Sequence, residues 1–315
     1  MKPNISTYSV LFFIGLILAY YASSDSKSHR SYGQQWLSLD KTTFKQLTYE
    51  EEGGKSVNIE PQGDKLFWVT FQAKADSETQ QFRADDTMDQ LLEDWTRLGV
   101  VKALGSSENL KLEDFALGTD AKLLILEFAD QKYVFEVGKR SFQSPNVFML
   151  DKKKNEVILV KQSLLNPLQK PRADLFERNI HDLELDTIDR IEVSNDDKQI
   201  TLVPHEMKPG ERKWVRAEDK EDEAADNWLG RILDLRARNY KPLHETQSTD
   251  QQPLKLRIEF YRGEDIVEKF TIREVLSATD GGDIAYYLKS RHTGGYVELY
   301  RNRIDTLLQD FSGVL

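Results

Sequence analysis

The chain has 315 residues, of which 39% are hydrophobic, 10% aromatic and 30% charged, with a net charge of −10 and no cysteine. That length is enough for about two ordinary domains, and the apolar share supplies packed cores. The acidic balance argues against nonspecific nucleic-acid binding, which needs Lys and Arg against phosphates, and the lack of cysteine excludes disulfides, thiol nucleophiles and Cys-ligated metal sites.

Residues 1–31 read as a membrane anchor and short linker. Between Lys2 and Asp25 the span Pro3–Ser24 carries no charge, with the core "VLFFIGLILAYYA". A membrane-crossing helix needs about 20 such residues, and Tyr8, Tyr20 and Tyr21 suit the two interfaces. A cleaved signal peptide with Ala22 and Ser24 before the cut is the alternative. The uncleaved reading predicts a single-pass protein of the cytoplasmic (inner) membrane, with the bulk of the chain in the periplasm or otherwise outside the cytoplasm. Ser9 and Gly15 are small residues on this otherwise bulky helix, and small residues let helices approach in lipid. They are candidate partner contacts. Trp36, just beyond the linker, is either a third such contact or a plainly buried ring.

The remainder reads as one unit written twice, 32–170 and 171–315. "LDKTTFKQLTY" (Leu39–Tyr49) lies over "LDTIDRIEV" (Leu185–Val193), and "SVNIEP" over "QITLVP". "KLFWV" lies over "ERKWV", which sets Trp68 on Trp214. "DDTMDQLLEDWTRL" then matches "AADNWLGRILDLRARN", and "KLLILEFADQKYVFEVG" matches "KLRIEFYRGEDIVEKFTI". The last pair is "NEVILVKQSLLNPL" with "GYVELYRNRIDTLL", setting Val157–Val160 on Val297–Tyr300. The order is kept throughout, and the period is far longer than the roughly 20–50 residues of a solenoid repeat.

Within each copy, period-two alternation predicts strands at "SVNIEP", "LFWVTF", "LLILEF", "YVFEVG", "NVFML" and "VILV", and at their second-copy counterparts. Met88, Leu91, Leu92, Trp95 and Leu98 form one helical stripe, as do Ala225, Trp228, Ile232 and Leu235. Trp95 and Trp228 on these stripes read as core. "FADQKY", "DKKKNE" and "HTGG" read as hairpin turns. A short helix closes each copy, and Lys170–Pro171 breaks the first of them before the connector Gln169–Leu185. The expected fold class is α+β: an N-terminal transmembrane helix followed by two tandem, duplicated α+β domains with antiparallel sheets.

No residue set announces a chemistry. The histidines, His29, His181, His205, His244 and His292, never pair at metal-ligand spacing. The acidic run "EDKEDEAAD" (Glu218–Asp226) lacks the glycine and alternation of a calcium loop and reads as a solvated helix start. There is no G-x-S-x-G elbow, Walker loop or G-x-G-x-x-G. No catalytic, cofactor-binding or metal-ligating residue is assigned, and no cofactor is expected.

The pattern resembles a bacterial domain-of-unknown-function family, number 4340. The resemblance rests on the helix Pro3–Ser24 and on "WVTF" with "DTMDQLLEDWTRL", repeated as "WVRA" with "DNWLGRILDL". It rests further on Phe115–Gly118, Leu124–Phe128, Tyr133–Gly138 and Val157–Leu165. The second copy lacks the "ALG" and "VG" elements. The resemblance implies repeated α+β modules behind a membrane helix, in an accessory protein found beside gliding-motility-type ABC transporters. It brings no catalytic residues. The expectation is therefore a non-enzymatic, membrane-anchored auxiliary subunit, with an ABC-type permease and its membrane subunits as partners. The alternative is an envelope module binding glycan or peptide in the cleft between the repeats.

Overall fold

The computed structural model describes residues 33–63, 66–119, 121–129, 131–208, 211–218, 224–276 and 283–313. The first unit contains β1 (Phe44–Glu51), β2 (Lys55–Pro61), β3 (Phe67–Gln72), β4 (Gln80–Arg83), helix α1 (Thr87–Thr96) and β5 (Lys102–Ser106). It continues through β6 (Lys122–Phe128), β7 (Gln131–Arg140), β8 (Asn146–Asp151) and β9 (Glu156–Lys161) to the short helices α2 (Asn166–Gln169) and α3 (Pro171–Asp174). The second unit contains β10 (Arg190–Ser194), β11 (Gln199–Lys208), β12 (Glu211–Arg216), α4 (Ala224–Leu233), β13 (Asn239–Tyr240) and α5 (Thr246–Asp250). It ends with β14 (Leu254–Arg262), β15 (Asp265–Leu276), β16 (Ile284–Lys289), β17 (Tyr296–Leu299) and α6 (Arg301–Gly313).

Two antiparallel sheets dominate. The first runs β4-β3-β2-β1-β6-β7-β8-β9-β5 and the second β12-β11-β10-β14-β15-β16-β17-β13. With β4 set aside, the second order repeats the first strand for strand. Each sheet is two meanders joined at a central strand, β1 or β10. The helix and the short strand that interrupt them carry the chain to the far edge, where β5 pairs with β9 and β13 with β17. The opening segments Leu39–Tyr49 and Leu185–Val193 thus end in the central strands, a role their sequence alternation alone did not reveal.

The α+β expectation is corrected to this sheet-dominated architecture. Backbone pairing of long alternating segments fills both sheets, while three of the six helices named above are little more than a single turn. The transmembrane helix expected at Pro3–Ser24, with Ser9 and Gly15, lies outside the described residues. Among the described residues no helix is long and apolar enough to cross a membrane. The longest, α6, has 13 residues, short of the about 20 a bilayer requires. The single-pass, inner-membrane localisation therefore has no support here and is set aside.

Alternation fills the cores. Leu47 lies opposite Ile59 and Leu126, and Tyr49 opposite Val57 and Leu124, all fully buried. In the second unit Ile191 lies opposite Leu202 and Phe260 in the same way. Helix α1 lays Met88, Leu91, Leu92 and Trp95 onto the first core, and α4 lays Ala225, Trp228, Leu229 and Ile232 onto the second. Its neighbour Asp85 accepts the Thr87 amide at 3.0 Å, satisfying one free donor at the helix start.

The ladders also correct the overlay by one residue. Trp68 faces Glu60, whereas the strand-equivalent position, facing Val203, is Val215. Trp214 pairs with Pro204 and shares the core-facing side with Leu202. A one-residue slip in a strand moves a side chain to the other face, so the two tryptophans, matched by identity, do different jobs. Ile158, opposite Met149, likewise corresponds to Val297, opposite Leu288, one place off the expected overlay.

Candidate functional site: the seam between the units

The two units meet edge to edge, with β4 beside β13. Trp68 and Arg83 face each other across β3 and β4 on the side of the sheet away from the first core. The Trp68 ring meets the Tyr240 ring edge-on at 5.6 Å, and Phe176 of the connector meets Tyr240 at 5.4 Å. Phe176 packs on Phe82 from the other side, at 5.3 Å. Aromatic pairs at these separations and tilts add to plain burial. Gly295 allows the close approach here, because a Cβ would stand 3.0 Å from the Trp68 ring, tighter than an ordinary contact.

Polar groups close the remainder. Arg172 of α3 donates to Gln80 Oε1 at 3.1 Å, to the Arg238 carbonyl at 3.1 Å and to Asn239 Oδ1 at 2.5 Å. The Leu243 amide donates to Gln81 Oε1 at 3.2 Å. The connector is pinned to both sides, by bridges from Ala84 to Phe176 and from Asn179 to Arg236.

Beneath this lies a buried charged cluster. Arg83, 8% exposed, donates through Nη1 to the His292 carbonyl. The Glu177 carboxylate accepts the Asn179 amide at 2.7 Å and stands 3.3 Å from His292 Nε2, close enough for an ion pair but not aligned for a hydrogen bond. Burial pushes the Glu177 carboxyl up, but His292, the Asn179 amide and the Arg83 charge together bring it below the usual glutamate range. Glu268 accepts the amides of Lys269, Arg291 and His292, yet burial leaves its carboxyl above that range. Burial also lowers the His181 imidazole, which lies 3.1 Å from the Leu233 carbonyl. Ser290 Oγ donates to the Ile180 carbonyl at 2.7 Å and accepts the Thr293 amide at 2.9 Å.

The cleft expected between the repeats is a recess of about 320 Å³, lined among others by Gln80, Arg172, Tyr240, Lys241, Tyr287 and Glu298. Apart from Glu78, its charged side chains are engaged internally. Lys241 pairs with Glu245 at 2.8 Å and covers the Tyr287 ring, while Arg238 and Asn239 both engage Glu298.

Trp36 lies elsewhere. It is 8% exposed and packs inside the first unit, where Nε1 donates to Asp151 Oδ2 at 2.8 Å and Lys154 covers its ring at 3.8 Å. Of the two readings of this residue, burial is what the geometry describes. Ser9 and Gly15 lie outside the described residues. So does most of the acidic run, at 219–223. Among the described residues no three His, Asp or Glu side chains gather as a metal-holding group.

Sequence reasoning missed the seam. "HTGG" identified a turn, but not that it docks on Arg83 and Trp68 of the other unit. The available signal was the glycine pair Gly294–Gly295, which marks close backbone approach as readily as a tight turn.

No curated protein and no solved structure matches this chain. A family model described as "Domain of unknown function (DUF4340)" matches residues 100–257, half of the chain. The matched span enters before β5, crosses the connector that builds the seam and leaves within β14. The chain therefore belongs to the DUF4340 family.

Proposed function

We propose that this protein is a non-enzymatic auxiliary subunit of an ABC transporter-like complex of the gliding-motility type, with the permease among its partners. The observation that supports this reading best is the closed seam. Aromatic rings, Arg83 and Arg172 fill the junction, so the two units present outer surfaces to partners and keep little open space between them. The alternative, glycan or peptide bound in the cleft, asks for unspent polar groups converging on a cavity, and the recess beside Tyr240 offers pairs already made. Family membership supports the assignment through the association implied by the resemblance, since the family's shared motifs are structural.

Co-purification tests it. Tagged full-length protein isolated from its own cells in mild detergent is expected to bring down an ABC-type permease and its nucleotide-binding subunit. Isolation of the chain without either subunit, with its thermal transition intact, overturns the proposal.

A further inference from the structure

A second concavity, far larger than the seam recess, opens in the first unit at one end of β6–β9. Its volume is about 1010 Å³. Among the described residues five cations line it, Lys122, Lys139, Arg140, Lys161 and Lys170, and no acidic residue does. On a chain of net charge −10 this is a local inversion of sign. Lys122 reaches Glu51 at 3.3 Å. Among the described residues no acidic side chain pairs with Lys139, Arg140 or Lys170.

Solvated surface lysines alone would carry nothing. A further observation separates this groove from an ordinary charged face. The other unit builds the same place differently. Val147 faces Arg140 across the β7–β8 ladder, and the equivalent Tyr286 faces Glu274. There Glu274 is held by Lys255 at 3.1 Å, and Asp305 takes a hydrogen bond from Tyr286 at 2.8 Å and lies 3.4 Å from Arg301. The fold itself does not require a basic groove at this position, since among the described residues the second unit sets paired acids there.

We infer that the groove binds an acidic peptide segment of a protein partner. The cations match carboxylates, and four of the five are lysines. Phe142, 86% exposed, lies on the turn joining the lining residues Arg140 and Pro145. It offers an apolar anchor to a neighbouring side chain of the ligand. The groove is concave, so it accepts an extended chain better than a flat anionic bilayer.

This names a partner chemistry for the accessory-subunit reading and rests on that reading only for the partner's being a protein. The test uses the purified full-length chain and a fluorescently labelled, Glu- and Asp-rich peptide, read by anisotropy. Binding is expected, weakening as salt rises. Lys139→Glu combined with Lys170→Glu should weaken it by about tenfold or more, with the thermal transition unchanged because both side chains are exposed. Charge reversal at Lys111, outside the groove, serves as the control and should change little. No binding, or binding indifferent to the double reversal, overturns the inference. Binding of phosphatidylserine vesicles or inorganic polyphosphate in place of the peptide overturns it as well. Peptide binding that survives in a protein that fails to co-purify with a transporter would sink the transporter assignment and leave the groove standing. The converse result would sink the groove alone.

Discussion

Arg83 and His292 are 209 residues apart in sequence, and the guanidinium of one donates to the backbone carbonyl of the other. This contact joins the edge strand of the first unit to a hairpin turn of the second. A side chain thereby fixes a backbone position that no ladder reaches. Arg83→Ala removes the donor and leaves Glu177 and the His292 carbonyl without it. A loss of about 2 kcal/mol is expected, the range for a hydrogen bond to a charged group. Hydrogen exchange should accelerate in the Ser290–Gly295 turn and leave the central strands β1 and β10 protected. Unchanged exchange at the turn would show that the aromatic contacts hold the seam alone.

Glu177 gives the seam a pH dependence of known sign. Its carboxyl titrates below the ordinary glutamate value of 4.5, so the folded state holds fewer protons than the unfolded one there. The stabilisation is complete above that value and is lost as the pH falls through the folded pKa. Glu268 acts the other way. Its raised carboxyl makes ionisation costly in the fold, so its contribution declines as the pH rises above 4.5. Glu177→Gln should cost about 3 kcal/mol at neutral pH, the scale for breaking a buried pair. Denaturant melts should show that difference shrinking under acid. A difference that stays constant into acid would remove Glu177 from the titrating cluster.

Trp95 and Trp228 occupy equivalent cores but differ at the indole nitrogen. Trp228 Nε1 donates to the Leu307 carbonyl at 3.0 Å, whereas Trp95 Nε1 is buried without a partner. Alanine at either site should cost about 3–5 kcal/mol. Phenylalanine should separate them, with Trp228→Phe about 1 kcal/mol worse than Trp95→Phe for the lost hydrogen bond. Equal melting temperatures for the two phenylalanine variants would contradict the assigned bonding.

Trp36 ties the segment before β1 to the β8–β9 turn. Asp151 accepts from its indole through Oδ2 and from the Lys153 and Lys154 amides through Oδ1. Trp36→Phe keeps most of the apolar volume and orphans a buried carboxylate oxygen, at a cost of about 1–3 kcal/mol. Co-purification of partners is expected to survive this change once the protein is folded. Loss of partners at unchanged stability would restore a contact role for the ring.

The sequence alone determined the pieces. Period-two alternation located the strands from "SVNIEP" to "VILV", and the stripe through Met88, Leu92 and Trp95 located α1, because burial of one face writes its period into the chain. The repeated block order likewise anticipated a strand order used twice. What the tertiary structure decided was everything that depends on which strand lies beside which. β5 and β13 are too short to carry a period, and only their pairing with β9 and β17 defines them. Register set Trp68 on the seam and Trp214 in a core, since identical residues one place apart face opposite ways. The seam itself was invisible, because Arg83, Glu177 and His292 are ordinary surface residue types until two separately folded edges bury them together. The same holds for the basic groove, where Lys122, Lys139 and Lys170 are spread along the chain and only the ends of four adjacent strands, with the junction of α2 and α3, gather them.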